Sequence, residues 1–396
     1  MEVTGLSTVP VEVPVKPLAE PFGVAPYVAS PSLAHLPEDL SFEEALAATE
    51  EGTTATRKLL VRLETDVGVT GWSEISPHRA TMRVGRVIFE DMVEPLVVGR
   101  ELTDIGSLFD AFPRYPHAYY RDITPFLGAA EIAMWDALGK ALDQPVHALL
   151  GGKRQETVPI SFCLGLLDLE QSREKARFAR DEGFSVLKTK GSRYWETDVE
   201  RITAMHEAVD GDLEFRLDPN QLWSVDQAVR VGARLEERGI YLQYLEQPVR
   251  VDSIGTLKRL RERLKTPVAG GNEDMFKPHN LFLLAREDAI DAADPDVISS
   301  GGITGVRREA GVAAEANISL AHHSNFDFGF KNAAKLHVMS TTPAFNLATD
   351  SVYYALEDDF LETRLEITDG EMVVPDRPGL AGDVDEGTVE EYRIEE

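Results

Sequence analysis

The feature that most constrains this chain is a recurrence. From about Thr124 onward, short β-rich runs alternate with amphipathic helical stretches: VPISFCLG, FSVLKTK, LEFRLDPN, IYLQYLEQP, TPVAGGNE, DPDVI, ISLAHHS and FNLATD. A repeat of about 25 to 30 residues per strand and helix argues for parallel βα units. Eight of them suit a closed barrel. Before them lies a long helical pattern, FLGAAEIAMWDALGKALDQPVHALLGG, stopped by Pro and Gly-Gly. The first 125 residues read differently. KLLVRLETDVGVTGWSE is a hairpin around a Gly-containing turn, and MRVGRVIFEDMVEPLVVG carries apolar residues at helical spacing. Two turn-rich loops, EPFGVAPYVASPSLAHLPED and SPHRATM, serve equally well as surface connections or as substrate covers. The tail LETRLEITDGEMVVPDRPGLAGDV reads as a hairpin and turns that return to the first domain.

The expected fold class is therefore α/β. Residues 1–125 form a mixed α+β domain, 126–355 a (β/α)8-type barrel, and 356–396 a return that packs on the first domain. The polar residues sharpen this. Lys188 and Lys190, Asp218, Glu246, Asn272 with Glu273, Asp296, His323 and Asp350 each fall at the C-terminal end of a successive expected strand. In a barrel those ends converge on one mouth, where the βα loops build active sites. A single charged strand end means little, but seven in register select a function.

Lys188 and Lys190 are two apart, so they leave one face of a strand. Two adjacent ammonium groups disfavour each other's charge, which is expected to lower a lysine pKa toward the range of a base. Asp218 and Glu246, with a third oxygen ligand from GGNED, suit Mg²⁺, which prefers carboxylate and carbonyl oxygens. With no cysteine or histidine cluster to compete, zinc and iron are disfavoured. Asp296 and His323 end neighbouring strands, so the carboxylate can orient the imidazole as an acid/base dyad. HHS offers two histidines. His323 is the candidate, with His322 a packed neighbour. The Gly run GGITG suggests a tight turn into a helix rather than a phosphate cradle.

Composition excludes several other classes. There are 68 acidic residues against 40 basic ones, a formal charge of −28, so nucleic acid is repelled. These acids are interleaved with apolar residues, as in LEERGIYLQYLEQP, which marks a solvated surface rather than a disordered tail. A halophilic surface adapted to molar salt is the expectation. The lone Cys163 cannot form an internal disulfide. The sequence has no apolar run long enough for a membrane span and no secretory signal pattern, so a cytoplasmic homo-oligomer is expected.

With these residues in view, the chain resembles the enolase superfamily, in particular its mandelate racemase-like and glucarate dehydratase-like members. MWDALGKALDQPVHALLGG, LKTKGS, LDPNQLWS, LEQP and PDVISSGGITG carry the resemblance. It implies an α+β capping domain, completed by the C-terminal tail, over a modified (β/α)8-type TIM barrel, with Lys190 a base, Lys188 its carboxylate-binding neighbour, and Asp218 and Glu246 Mg²⁺ ligands. The third ligand is Asn272 or Glu273. Racemase-like members have Glu directly after the Gly pair, whereas glucarate dehydratases have Asn, as here. HSN at His323 to Asn325 and TD at Thr349 to Asp350 follow the dehydratase pattern, while NFDF after HHS matches it only in part. The implied activity is a lyase acting on a carboxylate sugar, giving a 2-keto-3-deoxy acid. Racemisation or epimerisation of a 2-hydroxy acid through the same enediolate is the first alternative, and a noncatalytic small-molecule binding protein the second. Cycloisomerases are disfavoured, since those members place a Lys where this chain has ISS.

Overall fold

The computed structural model describes residues 1–33, 36–49, 52–76, 82–111, 123–250, 254–271 and 278–395. Its first sheet is antiparallel and three-stranded, in the order β1 (Val3–Pro14), β2 (Ala55–Thr65) and β3 (Thr70–Ile75). β2 and β3 are the expected hairpin, and Gly68 supplies the positive φ of its turn. The helical pattern after it forms a helix over Met82–Ile88 that loosens into a π turn over Phe89–Val93 and resumes at Glu94–Val97, where Pro95 sits in the first turn.

The long helix Thr124–Ala141 lies against this sheet, and its small residues explain the fit. Gly71 on β3 approaches Ala133 and Ala137 so closely that a Cβ there would collide with backbone. Ser73 Oγ donates to Ala129 O, and Asp136 accepts from Trp72 N. The same helix reaches the barrel: Glu131 accepts from Ile303 N, Thr304 N and Thr304 Oγ1. Those amides open the helix Gly302–Ala316, so the GGITG turn is stoppered by a carboxylate of the chain itself.

Eight parallel strands follow: β4 (Thr157–Leu164), β5 (Val186–Lys190), β6 (Glu214–Asp218), β7 (Tyr244–Glu246), β8 (Val268–Gly270), β9 (Ala292–Ala293), β10 (Ser319–Leu320) and β11 (Thr349–Ser351). They pair in sequence order from β4 to β10, and β11 pairs with β4. Asp350 N donates to His322 O, which brings β11 alongside the chain leaving β10 and closes the barrel. One strand is displaced from its expected place. DPDVI lies just after β9, because Pro295 has no N–H to give a ladder and the segment turns instead.

The tail forms the hairpin β12 (Ile367–Thr368) and β13 (Glu371–Val373), with β13 antiparallel to the start of β4. The chain then runs back to the first sheet, where Glu12 N donates to Tyr392 O and Ile394 N to Pro10 O. Among the described residues no helix is long and apolar enough to cross a membrane.

Candidate active site

β5 directs Lys188 and Lys190 to the barrel interior. Lys188 Nζ lies 2.5 Å from Glu246 Oε2 and from Asp350 Oδ2, and 3.8 Å from Asp218 Oδ2 and Asp294 Oδ2. Lys190 Nζ lies 2.5 Å from Asp218 Oδ2. The other oxygen of Asp350 accepts from Ser161 Oγ at 2.7 Å and Arg216 Nη1 at 3.0 Å. Four carboxylates, three from β6, β7 and β11 and one from the turn after β9, thus converge on one ammonium, and all are buried.

That convergence reverses one expectation. Lys188 does oppose the charge of Lys190, but that repulsion is outweighed. Burial is the largest influence and opposes the ammonium, but Asp350, Glu246, Asp218 and Asp294 together overcome it and hold Lys188 well above the ordinary lysine range. Lys190 is likewise raised, with Asp218 overcoming burial. An opposite charge in contact outweighs a like charge one residue pair away.

The carboxylates also show what the site lacks. Asp294 is completely buried, and neither of its oxygens has a hydrogen-bond partner among the described residues. Glu246 Oε2, although 2.5 Å from Lys188 Nζ, is off the line of a hydrogen bond and equally unpartnered. Burial pushes Glu246 up to about 7, against the pull of Lys188, and raises Asp294 well above the carboxylate range. Glu246, Asp294 and Asp350 each offer an oxygen within 4.8 Å of the others. Around this centre the described cations Lys188, Lys190, Arg216 and Lys335 face Asp218, Glu246, Asp294 and Asp350, and Asp294 takes no hydrogen bond from any of them. Unpaired buried carboxylates are costly, and an all-oxygen set of this kind fits a hard divalent cation. Asn272 and Glu273, the alternatives for a third ligand, lie outside the described residues.

The dyad forms across the barrel mouth. Asp296 Oδ1 accepts from Ile298 N and Ser299 N, which fixes the carboxylate. Its Oδ2 accepts from His323 Nδ1 at 3.1 Å, so Nε2 of that ring is the nitrogen left for a substrate. His322 is a different kind of residue. Its Nε2 accepts from Val297 N and its Nδ1 donates to His323 O, while burial lowers it to about 3. It is a neutral structural ring.

Lys190 and His323 flank one cavity of about 240 Å³, with Lys188, Asn220, Asn325 and Asp350 around it. Its other wall comes from the first domain, through Tyr27, Ala29, Pro31 and Thr53. The first turn-rich loop therefore covers the site, and Tyr27 packs edge-on to Phe326 to hold it there. SPHRATM falls almost wholly outside the described residues.

Two buried groups were not anticipated from the sequence. Asp294 was overshadowed by Asp296 in the same Asp-Pro-Asp. Lys331, which reaches Asp296 Oδ2 at 2.5 Å, sits on the helix Gly329–Thr341 rather than on a strand end. Its signal was a pair of lysines four apart, Lys331 and Lys335, in a helix that is buried along nearly its whole length.

The family model described as "Enolase C-terminal domain-like" matches residues 171–388, and that described as "Mandelate racemase / muconate lactonizing enzyme, N-terminal domain" matches residues 44–151. Arabinonate dehydratase of Saccharolobus solfataricus is 28% identical, over 84% of this chain and 89% of that protein. The probable glucarate dehydratase of Streptomyces coelicolor is 30% identical, over 82% of each chain. Chloromuconate cycloisomerases and an N-succinyl-L-Arg/Lys racemase are also among the relatives. A solved enolase from Streptomyces coelicolor superposes with a TM-score of 0.83 at 29% identity, covering 99% of this chain and 96% of that one. Two domain matches that together span most of the chain, and a barrel mouth built from the strand ends described above, make this protein a member of the enolase superfamily.

Proposed function

We propose that the protein is a Mg²⁺-dependent acid-sugar dehydratase. The observation that carries this reading is the placement of Lys190 and His323 on the walls of one cavity whose floor is Lys188 among carboxylates. A 2-hydroxy acid enters with its carboxylate toward Lys188 Nζ, so that charge developing on the enediolate meets a fixed cation. When bound, a divalent cation at Asp218 and Glu246 would supply further positive charge at the substrate carboxylate and take up oxygens that now hold the two lysines protonated. Lys190 Nζ or His323 Nε2 removes the C2 proton, according to the configuration of that carbon. His323 Nε2 in its protonated form then delivers a proton to the departing 3-hydroxyl, while Asp296 holds the ring through Nδ1. Water leaves, and the enol settles as a 2-keto-3-deoxy acid.

The arabinonate and glucarate dehydratases among the relatives support an acid sugar as substrate. The geometry also favours one second reading. Bases on two sides of a cavity suffice to remove and return a proton, which is racemisation or epimerisation. Incubating the protein with Mg²⁺ and a panel of aldonic and aldaric acids in D₂O separates these readings. Formation of a 2-keto product is expected. Deuterium at C2 without keto product selects the epimerase, and binding with neither selects a noncatalytic protein.

A further inference from the structure

Asp296 Oδ2 has two cationic partners, not one. Lys331 Nζ lies 2.5 Å from it and His323 Nδ1 3.1 Å, so the ammonium and the imidazole are no more than about 6 Å apart. Lys331 is itself held from behind, with Asp327 Oδ2 at 3.0 Å. Asp327 Oδ1 in turn meets Lys58 Nζ at 2.7 Å, and Lys58 Nζ meets Glu74 Oε1 at 2.6 Å. Every member except the half-buried His323 is buried, and Lys58 and Glu74 belong to β2 and β3 of the first sheet. Charges therefore alternate from the cap to the dyad: Glu74, Lys58, Asp327, Lys331, Asp296 and His323.

A carboxylate dedicated to one imidazole stabilises the imidazolium strongly. A carboxylate already matched by an ammonium does so far less, because the imidazolium then also feels the ammonium. We propose that Lys331 is a positioning residue that fixes Asp296 as the partner of His323 while cancelling most of its charge, so that the imidazole can both accept and release a proton during turnover. This rests on the dehydratase reading for its catalytic meaning, though not for its electrostatics. The arrangement assigns the cap a second task besides covering the cavity: through Lys58 it sets how tightly Asp327 competes for Lys331. Among the described residues, the other charged groups around the ring and its carboxylate are Lys188, Lys190 and Asp350 across the cavity, Lys335 behind Lys331 on the same helix, and Glu309 near Asp296. None of these touches Asp296 Oδ2.

The test is the ionisation of His323 followed by NMR in the whole protein, with the pH dependence of turnover measured alongside. Lys331→Met leaves Asp296 uncompensated, and the His323 midpoint should rise by one unit or more, a tenfold change in the ratio of the two ring forms at fixed pH. The acid limb of kcat/KM should move with it. Asp327→Asn removes the competing carboxylate and should move the midpoint the opposite way. Lys331→Arg should restore the wild-type midpoint. Opposite shifts from two buried substitutions do not arise from general loosening, and the Asn and Arg variants keep the test alive if the Met variant fails to fold. Unchanged midpoints in these variants overturn the inference even if the protein dehydrates acid sugars. Shifted midpoints in a protein that dehydrates none leave it standing and overturn the function instead.

Discussion

Lys190 Nζ and Asp218 Oδ2 are 2.5 Å apart, so the proposed base and a proposed cation ligand hold each other in the same buried ion pair. Proton abstraction by Lys190 would require that pair to be broken, and a cation taking Asp218 Oδ2 would break it. On this reading the two events would be coupled, with the base released when the ligand is otherwise engaged.

Replacing Lys190 by Met or His323 by Asn should each lower turnover by about 10²- to 10⁴-fold, the usual worth of a positioned acid or base. The double variant should have no measurable dehydration. Circular dichroism should show the native fold in all three, and residual turnover by the double variant would remove both residues from the mechanism.

Glu246 gives the proposed cation site a pH dependence of definite sign. Its pKa is raised from 4.5 to about 7, chiefly by burial, so the folded state keeps a proton that the unfolded chain has released. Its contribution to stability is full below 4.5 and is lost as pH rises to about 7, at up to about 1.4 kcal/mol per pH unit. Asp294, raised in the same direction, adds to the trend. A divalent cation binds the deprotonated carboxylates, so the thermal stabilisation given by Mg²⁺ over EDTA should grow between pH 5 and 8. A gain that is flat across this range would mean the cation does not use these groups.

The clamp at Glu131 should be worth more than a surface ion pair. The side chain is buried and satisfies Ile303 N, Thr304 N, Thr304 Oγ1 and Trp135 Nε1. Glu131→Ala strands those donors and should cost about 3 to 5 kcal/mol. Chemical denaturation would measure it, and a loss below about 1 kcal/mol would show that water replaces the carboxylate.

The acidic surface makes a salt prediction. With a formal charge of −28, self-repulsion acts against the compact state at low ionic strength, and in 1 M salt the screening length falls to about 3 Å. The melting temperature should rise steadily from 0.1 to 2 M KCl. A fall over that range would end the reading of a halophilic surface.

The parts legible in the sequence were those with a short period. Alternation of strand and helix exposed seven of the eight barrel strands and missed the short β9, and the polar residues near their ends could be picked out one by one. What period does not reveal is depth. Lys188 and Lys190 look like a mutually repelling pair when only their own strand is considered, and the carboxylates that dominate them come from β6, β7 and β11. Lys331 was hidden for a related reason, since a lysine on a helix is ordinarily solvated and nothing local says that Asp296 and Asp327 await it. Lys58 on β2 is a third case, buried by contacts with a turn about 270 positions away.

The seam between β1 and the residues around Tyr392 has a consequence for folding. β1 takes hydrogen-bonding partners from a segment that lies beyond the entire barrel in sequence. The opening sheet therefore keeps one margin bare until the residues after the barrel have docked. Premature stop codons that spare every residue of the chemistry would still yield a protein with an open, adhesive edge.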